Sequence, residues 1–214
     1  MLKQNKSKLI VSSLIIFLPT LFGAALWNRL PAQIVTRFSW DGSADNWSGK
    51  PFVVFGLPTI FFAVHVFCIF CTLSDSKSRG IGGKLINLLF WIIPSVSLII
   101  MSALYAISLG ISIDLRFLCT LLIAILYLIL GNLLPKSRQN YTVGLKFPWT
   151  LHNQENWNHT HRFAAWCMVI SSAVLVMSAS FQVYWLVFVT LLTNTALPFV
   201  YSYLFYRCNM QKEK

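Results

Sequence analysis

Hydrophobic and polar residues along this chain do not alternate at short range but segregate into long blocks. Apolar runs occupy Leu9 to Trp27, Phe52 to Leu73, Leu85 to Leu109, Phe117 to Leu134, Phe163 to Phe181 and Val183 to Tyr206. Each has the length, roughly 20 residues, that a helix needs to cross a hydrocarbon core about 30 Å thick. Only a helix satisfies all backbone polar groups of a lone segment in lipid, so each run predicts a transmembrane α-helix. The fold class is therefore all-α integral membrane, with six transmembrane helices in one membrane domain over residues 1–214. The first run follows Lys3, Lys6 and Lys8, as a secretory signal would. It is long and lacks a small-x-small cleavage site, so it reads as an uncleaved helix.

Composition agrees: a chain 57% hydrophobic and only 11% charged has too little polar surface to coat a soluble globule. The net charge of +11 raises the question of nucleic acid, but its distribution answers a different one. With a cytoplasmic N-terminus, every lysine and arginine except Arg29, Arg37, Lys50 and Arg116 falls inside. Both termini are then cytoplasmic, and the basic excess lies against anionic headgroups. The bilayer is the expected partner, with no direct nucleic acid. Cys68, Cys71, Cys119, Cys167 and Cys208 all lie within or at the end of spans, so no disulfide framework is indicated. Cys68 and Cys71 form a C-x-x-C that reads as small apolar residues rather than a redox or zinc pair.

Three connections are long enough to hold a site. The extracytoplasmic one, residues 28–51, offers a turn at Asp41-Gly42, a capping Asp45 and interfacial anchors in Trp40 and Trp47. Arg37 and Lys50 are available as partners for its two acids. It reads either as a recognition surface or as a loop folded against the bilayer. The connection Ser74 to Lys84 is basic and glycine-rich but lacks phosphate-loop spacing, and reads as a turn. The third, the cytoplasmic segment 135–162, is dense in Trp, Asn, His and Lys. Asn132 marks the inner end of the fourth span, Pro135 stops it, and Lys136 and Arg138 sit at headgroup level. Gly144 permits a turn, and Pro148-Trp149-Thr150 opens a short interfacial helix anchored by Trp149 and Trp157. A helix from about Leu151 puts Trp157 and His161 on one face.

His152, Glu155, His159 and His161 are residue types that ligate zinc, but their order is not H-E-x-x-H. The preferred reading pairs Glu155 with Arg162 or Lys146 and hydrogen-bonds the histidines. No catalytic residue, cofactor or metal is expected. His65 lies deep in a span without an intramembrane acid, so an interhelical hydrogen bond, with Asn194 or Thr195 as partner, is favoured over a proton path. Pro19, Pro58, Pro94 and Pro198 should bend their helices, either for packing or to shape a cavity. Ala164, Ser171 and Ser178, with Ala165, Ser172 and Ala179 beside them, form a small-residue face. Its neighbour is either the sixth span, across a tight hairpin at Gln182, or a second copy of the chain.

Two motifs resemble the SdpI-like family of bacterial membrane proteins, and the resemblance covers nearly the whole chain. After the first span that family carries a domain of unknown function with a pattern like LPxxIPxHxNxxGxxDxWxxK. Leu30, Pro31, Ile34, Gly42, Asp45, Trp47 and Lys50 match it, while Val35, Arg37 and Ser39 replace its Pro, His and Asn. After the fourth span the pattern is similar to GNxxPKxxxNYxxGIRTPWTLxNExxWxxTHR. Here Gly131, Asn132, Pro135, Lys136, Asn140, Tyr141, Gly144, Pro148, Trp149, Thr150, Leu151, Asn153, Glu155, Trp157, Thr160, His161 and Arg162 fit. Leu145 and Lys146 are conservative replacements, and Phe147, Gln154 and the Ala164-Ala165 pair depart from it. The resemblance implies a non-enzymatic immunity protein of the bacterial cytoplasmic membrane. Its implied partners are a secreted peptide toxin and, as for the family's namesake, a cytoplasmic transcriptional repressor. Asp45, Trp47 and Lys50 outside, with the matching residues from Asn132 to Arg162 inside, would carry that function. Two alternatives remain: a small-solute or proton-coupled transporter built on kinked spans and His65, and a membrane metal hydrolase built on His159 and His161.

Overall fold

Among the described residues six helices are long and apolar enough to cross a membrane. The computed structural model describes residues 2–39, 42–74 and 81–212. Trp40, Asp41, Lys77, Arg79, Lys214 and most of the Ser74 to Lys84 connection lie outside the described residues, and with them the turn and charge roles expected there.

The chain divides into two units, the first comprising residues 1–73 and 87–115, the second 74–86 and 116–214. In the first unit, α1 (Leu2–Ala25) leads to an antiparallel hairpin of β1 (Gln33–Phe38) and β2 (Ala44–Gly49). The hairpin replaces the irregular loop expected between the first two spans. Ile34 pairs with Ser48 and Val35 with Trp47, and the register shifts on either side of Arg37. Gly42, at φ 89, closes the turn by donating to the Ser39 carbonyl at 3.0 Å. The β-branched run Ile34-Val35-Thr36 favours extended backbone, and Ile34 drops into a core with Leu30, Val53, Val54, Met101, Leu104 and Tyr105.

The second span begins as a π-helical turn, Phe52–Gly56, before continuing as α2 (Leu57–Ser74). Pro58 lies at the join. In an α-helix its ring would press on the carbonyl four residues earlier, and the wider turn relieves that clash. The Phe55 carbonyl instead accepts from the Thr59 hydroxyl at 2.7 Å. Pro19 and Pro94 lie inside unbroken helices, α1 and α3 (Gly83–Ser108), and Pro198 inside α7 (Leu186–Lys212). Among these four prolines only Pro58 adjoins a change of helix type. Gly23 lets α1 approach closely, since a Cβ there would stand 2.6 Å from the Tyr105 hydroxyl and 2.9 Å from Val54. His65, fully buried, meets Ser12 of α1, with Nε2 at 2.9 Å from the hydroxyl. The expected partners Asn194 and Thr195 are displaced by a serine on a helix 53 residues away in sequence.

In the second unit α4 (Leu115–Leu133) ends in a single 3₁₀ turn, Leu134–Lys136. A short α5 (Pro148–His152) precedes α6 (Gln154–Ser180) and α7. The small-residue face of α6 is buried, and α6 packs against α7, the first of the two neighbours considered. Gln182, at φ 58, makes the tight turn between them, and the Ser178 hydroxyl caps it by donating to the Val183 carbonyl at 2.6 Å. Helix α6 starts nine residues before the apolar run at Phe163. The Asn153 side chain caps it by accepting from the Asn156 amide at 2.9 Å, so the helix expected from about Leu151 is divided at Asn153, and its second part runs on unbroken into the apolar span. Outward-facing apolar residues such as Phe67, Trp166 and Leu192, each about two-thirds exposed, need a lipid surround.

Candidate functional site

The segment from Ser137 to His161 is polar in sequence yet largely inward-facing in structure. Asn140 is fully buried and uses its whole amide. Its Nδ2 donates to Ser137 Oγ at 3.1 Å and to the Arg138 carbonyl at 2.9 Å. Its Oδ1 accepts from the amides of Thr142 at 3.0 Å and Val143 at 2.7 Å. This asparagine turns the chain back toward α6. Gln139 adds a bond from Nε2 to the Thr150 carbonyl at 2.7 Å.

The returning strand of backbone is held by α6. The Leu145 amide donates to His161 Nε2 at 3.1 Å, and His161 Nδ1 lies 2.8 Å from the Trp157 carbonyl. Since Nε2 accepts, Nδ1 must carry the proton, so the imidazole is fixed as one neutral tautomer with both nitrogens used. Its ring stacks on Trp157 at 4.0 Å between centroids, and Trp157 Nε1 donates to the Ser137 carbonyl at 3.0 Å. Gly144 sits against both rings at φ +124; a Cβ there would collide with His161 Nε2 and stand 3.1 Å from Trp157. Glycine is required by space and by backbone together.

Helix α5 is entered through Pro148 at its first position, as its sequence predicts. The Thr150 hydroxyl accepts from the Phe147 amide at 2.9 Å and faces the carbonyls of Leu145 and Phe147. Trp149 lies among Phe147, Phe199, Tyr203 and Tyr206 and donates from Nε1 to Ser202 Oγ at 2.7 Å. Ser202 passes the bond on to Asn156 Oδ1 at 2.9 Å, which also accepts from Thr160 Oγ1 at 2.9 Å. Asn156 Nδ2 returns a bond to the Ser202 carbonyl at 3.1 Å. One chain of hydrogen bonds thus joins α5, α6 and α7.

Asn140, Gly144, Trp149, Thr150, Trp157, Thr160 and His161 are therefore brought together. Tyr141 and Glu155 are exposed, and Glu155 stands 4.0 Å from His159, not beside Arg162 or Lys146. Lys146 instead donates to the Tyr141 carbonyl at 3.2 Å. His152 Nδ1 bonds the Pro148 carbonyl at 2.6 Å, so His152, His159 and His161 are engaged in three separate contacts. Among the described residues no group of three His, Cys, Asp or Glu is placed to hold a metal. Asn132, Pro135, Lys136 and Arg162 border an open groove. Ser137, Gln139, Asn156 and Ser202 do not stand out in the sequence. The signal for Ser202 is its place in an aromatic stripe, Phe199, Tyr203 and Tyr206, at helical spacing.

In the first unit, Arg37 and Asp45 form an ion pair at 2.7 Å with both side chains well exposed. Asp45 lies within β2 and does not cap a helix. Lys50 donates to the carbonyls of Trp27 at 2.9 Å and Leu30 at 3.1 Å and lies over the Trp27 ring, so it ties the end of α1 to the hairpin, and among the described residues it pairs with no acid. Trp47 is half exposed.

These features define a multi-pass α-helical membrane protein whose polar motif is ordered by its own helices. Residues 136–202 match the SdpI/YfhL protein family, and residues 14–62 match a domain of unknown function, DUF1648. The immunity protein SdpI of Bacillus subtilis (strain 168) is 26% identical over 178 residues, 81% of this chain and 82% of that protein. Over these segments the chain is similar to the SdpI-like family of bacterial membrane proteins. No solved structure matches it.

Proposed function

We propose that this chain protects a bacterial cell from a secreted peptide toxin at the cytoplasmic membrane, without enzymatic chemistry. The single observation that carries the reading is the similarity to an immunity protein along four-fifths of both chains. In this reading both termini are cytoplasmic, the hairpin with Asp45, Trp47 and Lys50 faces outside, and the segment from Asn132 to Arg162 faces inside. Toxin bound from outside or within the bilayer favours one of two helix arrangements, and the inner segment presents a different surface in each to a cytoplasmic transcriptional repressor. Such coupling requires toxin to bind the two arrangements with different affinity. A segment as fully hydrogen-bonded as residues 137–161 suits this role, because it moves as a body instead of deforming continuously.

The test is survival of a sensitive bacterium expressing the chain and exposed to culture supernatant of the toxin-producing source strain. A Trp149→Ala/His161→Ala variant, matched for membrane abundance, runs beside it. Protection by the parent and its loss in the variant is expected. Failure of the well-inserted parent against a supernatant shown to be lethal would overturn the proposal. For the signalling part, a fluorescent repressor encoded beside the chain should move to the membrane only when toxin is present; a repressor that stays cytoplasmic removes that part.

A further inference from the structure

A groove of about 440 Å³ opens where the end of α4 meets α6, lined by Gly131, Asn132, Lys136, Arg162, Ala165, Trp166 and Val169, with Pro135 at its edge. Gly131 forms its floor: a Cβ there would lie 2.8 Å from Val169 and 3.0 Å from the Ala165 carbonyl. Two cations, Lys136 and Arg162, stand at its rim. Both are exposed, and among the described residues neither is placed against an acid. Like charges gathered at one concavity repel unless an anion joins them. Asn132 adds a donor, since its Nδ2 spends one bond on the Leu128 carbonyl at 2.9 Å and retains a second proton.

The groove does not end in water. Trp166 leads to Ile170 and Met177 along one outward face of α6, at spacings of four and eleven residues, all about 60% exposed or more. Cationic and amide donors at a span's end, continuous with a lipid-facing apolar stripe, match a molecule with a phosphodiester head and an acyl tail. A free phosphate would use the donors and leave the stripe idle. We propose that this groove is a binding site for an anionic phospholipid, its phosphate held by Lys136, Arg162 and Asn132 and its acyl chain lying on Trp166 and Ile170. Tryptophan rings favour the depth where headgroup meets hydrocarbon, which suits Trp166 near the start of the apolar run at Phe163.

The experiment is native mass spectrometry of the full chain released from detergent with short-chain phosphatidylglycerol, phosphatidylcholine or inorganic phosphate as probe. The parent should retain phosphatidylglycerol over phosphatidylcholine. A Lys136→Gln/Arg162→Gln variant should lose that preference, by about 30-fold if each basic group contributes as at a headgroup surface. The charge-conserving Lys136→Arg/Arg162→Lys variant, which controls for misfolding, should keep it. Equal retention of both lipids by the parent, or undiminished preference in the Gln variant, would overturn the proposal. Displacement of the lipid by millimolar phosphate would also overturn it, by showing a simple anion site.

Discussion

Two polar connections of similar length lie between spans, and they are held in opposite ways. The hairpin of the first unit relies on its backbone ladder, one buried isoleucine and the Lys50 clamp; its ion pair is exposed. The segment from Ser137 to His161 has no strand ladder; outside the short helix α5 and the first turns of α6 its backbone is held largely by side chains, many of them buried. A ladder tolerates side-chain change because the peptide groups pair regardless. A side-chain scaffold fails at single positions, since each partner removed strands a buried group at about 1–3 kcal/mol.

That difference is sharpest at Gly144. Gly144→Ala should destabilise the chain by about 2–6 kcal/mol, adding backbone strain to overpacking against His161 and Trp157, and should show as a large drop in thermal unfolding temperature in detergent. An unchanged melting temperature would mean the segment is not held as described. Asn140→Ala comes next, at about 1–3 kcal/mol, because the half-buried amides of Thr142 and Val143 lose their acceptor. Asn140→Asp keeps that acceptor and should fall between variant and parent; equal losses for the two would assign the effect to the donors alone.

The hairpin's counterpart is Lys50→Met, expected to cost about 1–2 kcal/mol through the two carbonyls it leaves without their charged donor. A larger loss than for Asn140→Ala would reverse the contrast between the regions. Trp149→Phe keeps the aromatic packing and deletes the bond to Ser202, so about 1 kcal/mol is expected. Smallest of all, Asp45→Ala should shift stability by roughly 0–1 kcal/mol and be blunted further by salt. A shift of several degrees there would show that the exposed ion pair matters more than its setting suggests.

The six spans were legible because lipid demands long unbroken apolar runs, which water-soluble folds seldom contain. Local spacing also revealed the start of α5 at Pro148 and the shared face of Trp157 and His161, because both follow from helix geometry within a few residues. What escaped was non-local. Ser12 lies 53 residues from His65, and Ser202 lies 46 from Asn156, separations over which no periodicity carries information. The strands escaped for another reason: only Ile34 of β1 is buried, so the alternation that marks a strand is too weak to stand out. The helix expected from about Leu151 is present, but its break at Asn153 and its fusion with the apolar span depend on a cap that the periodicity does not show.

The link from Trp149 through Ser202 to Asn156 also fixes an order of events during synthesis. At about 5–20 residues per second, the ribosome needs about 2–10 s to travel from Asn156 to Ser202. Through that interval α5 and the first turns of α6 exist without the serine that joins them, and Asn156 has Thr160 on its Oδ1 but no Ser202 carbonyl for its Nδ2. The motif is thus completed late, by a residue on the helix that follows it, and a nascent chain halted before Ser202 would carry this segment open to protease or chaperone.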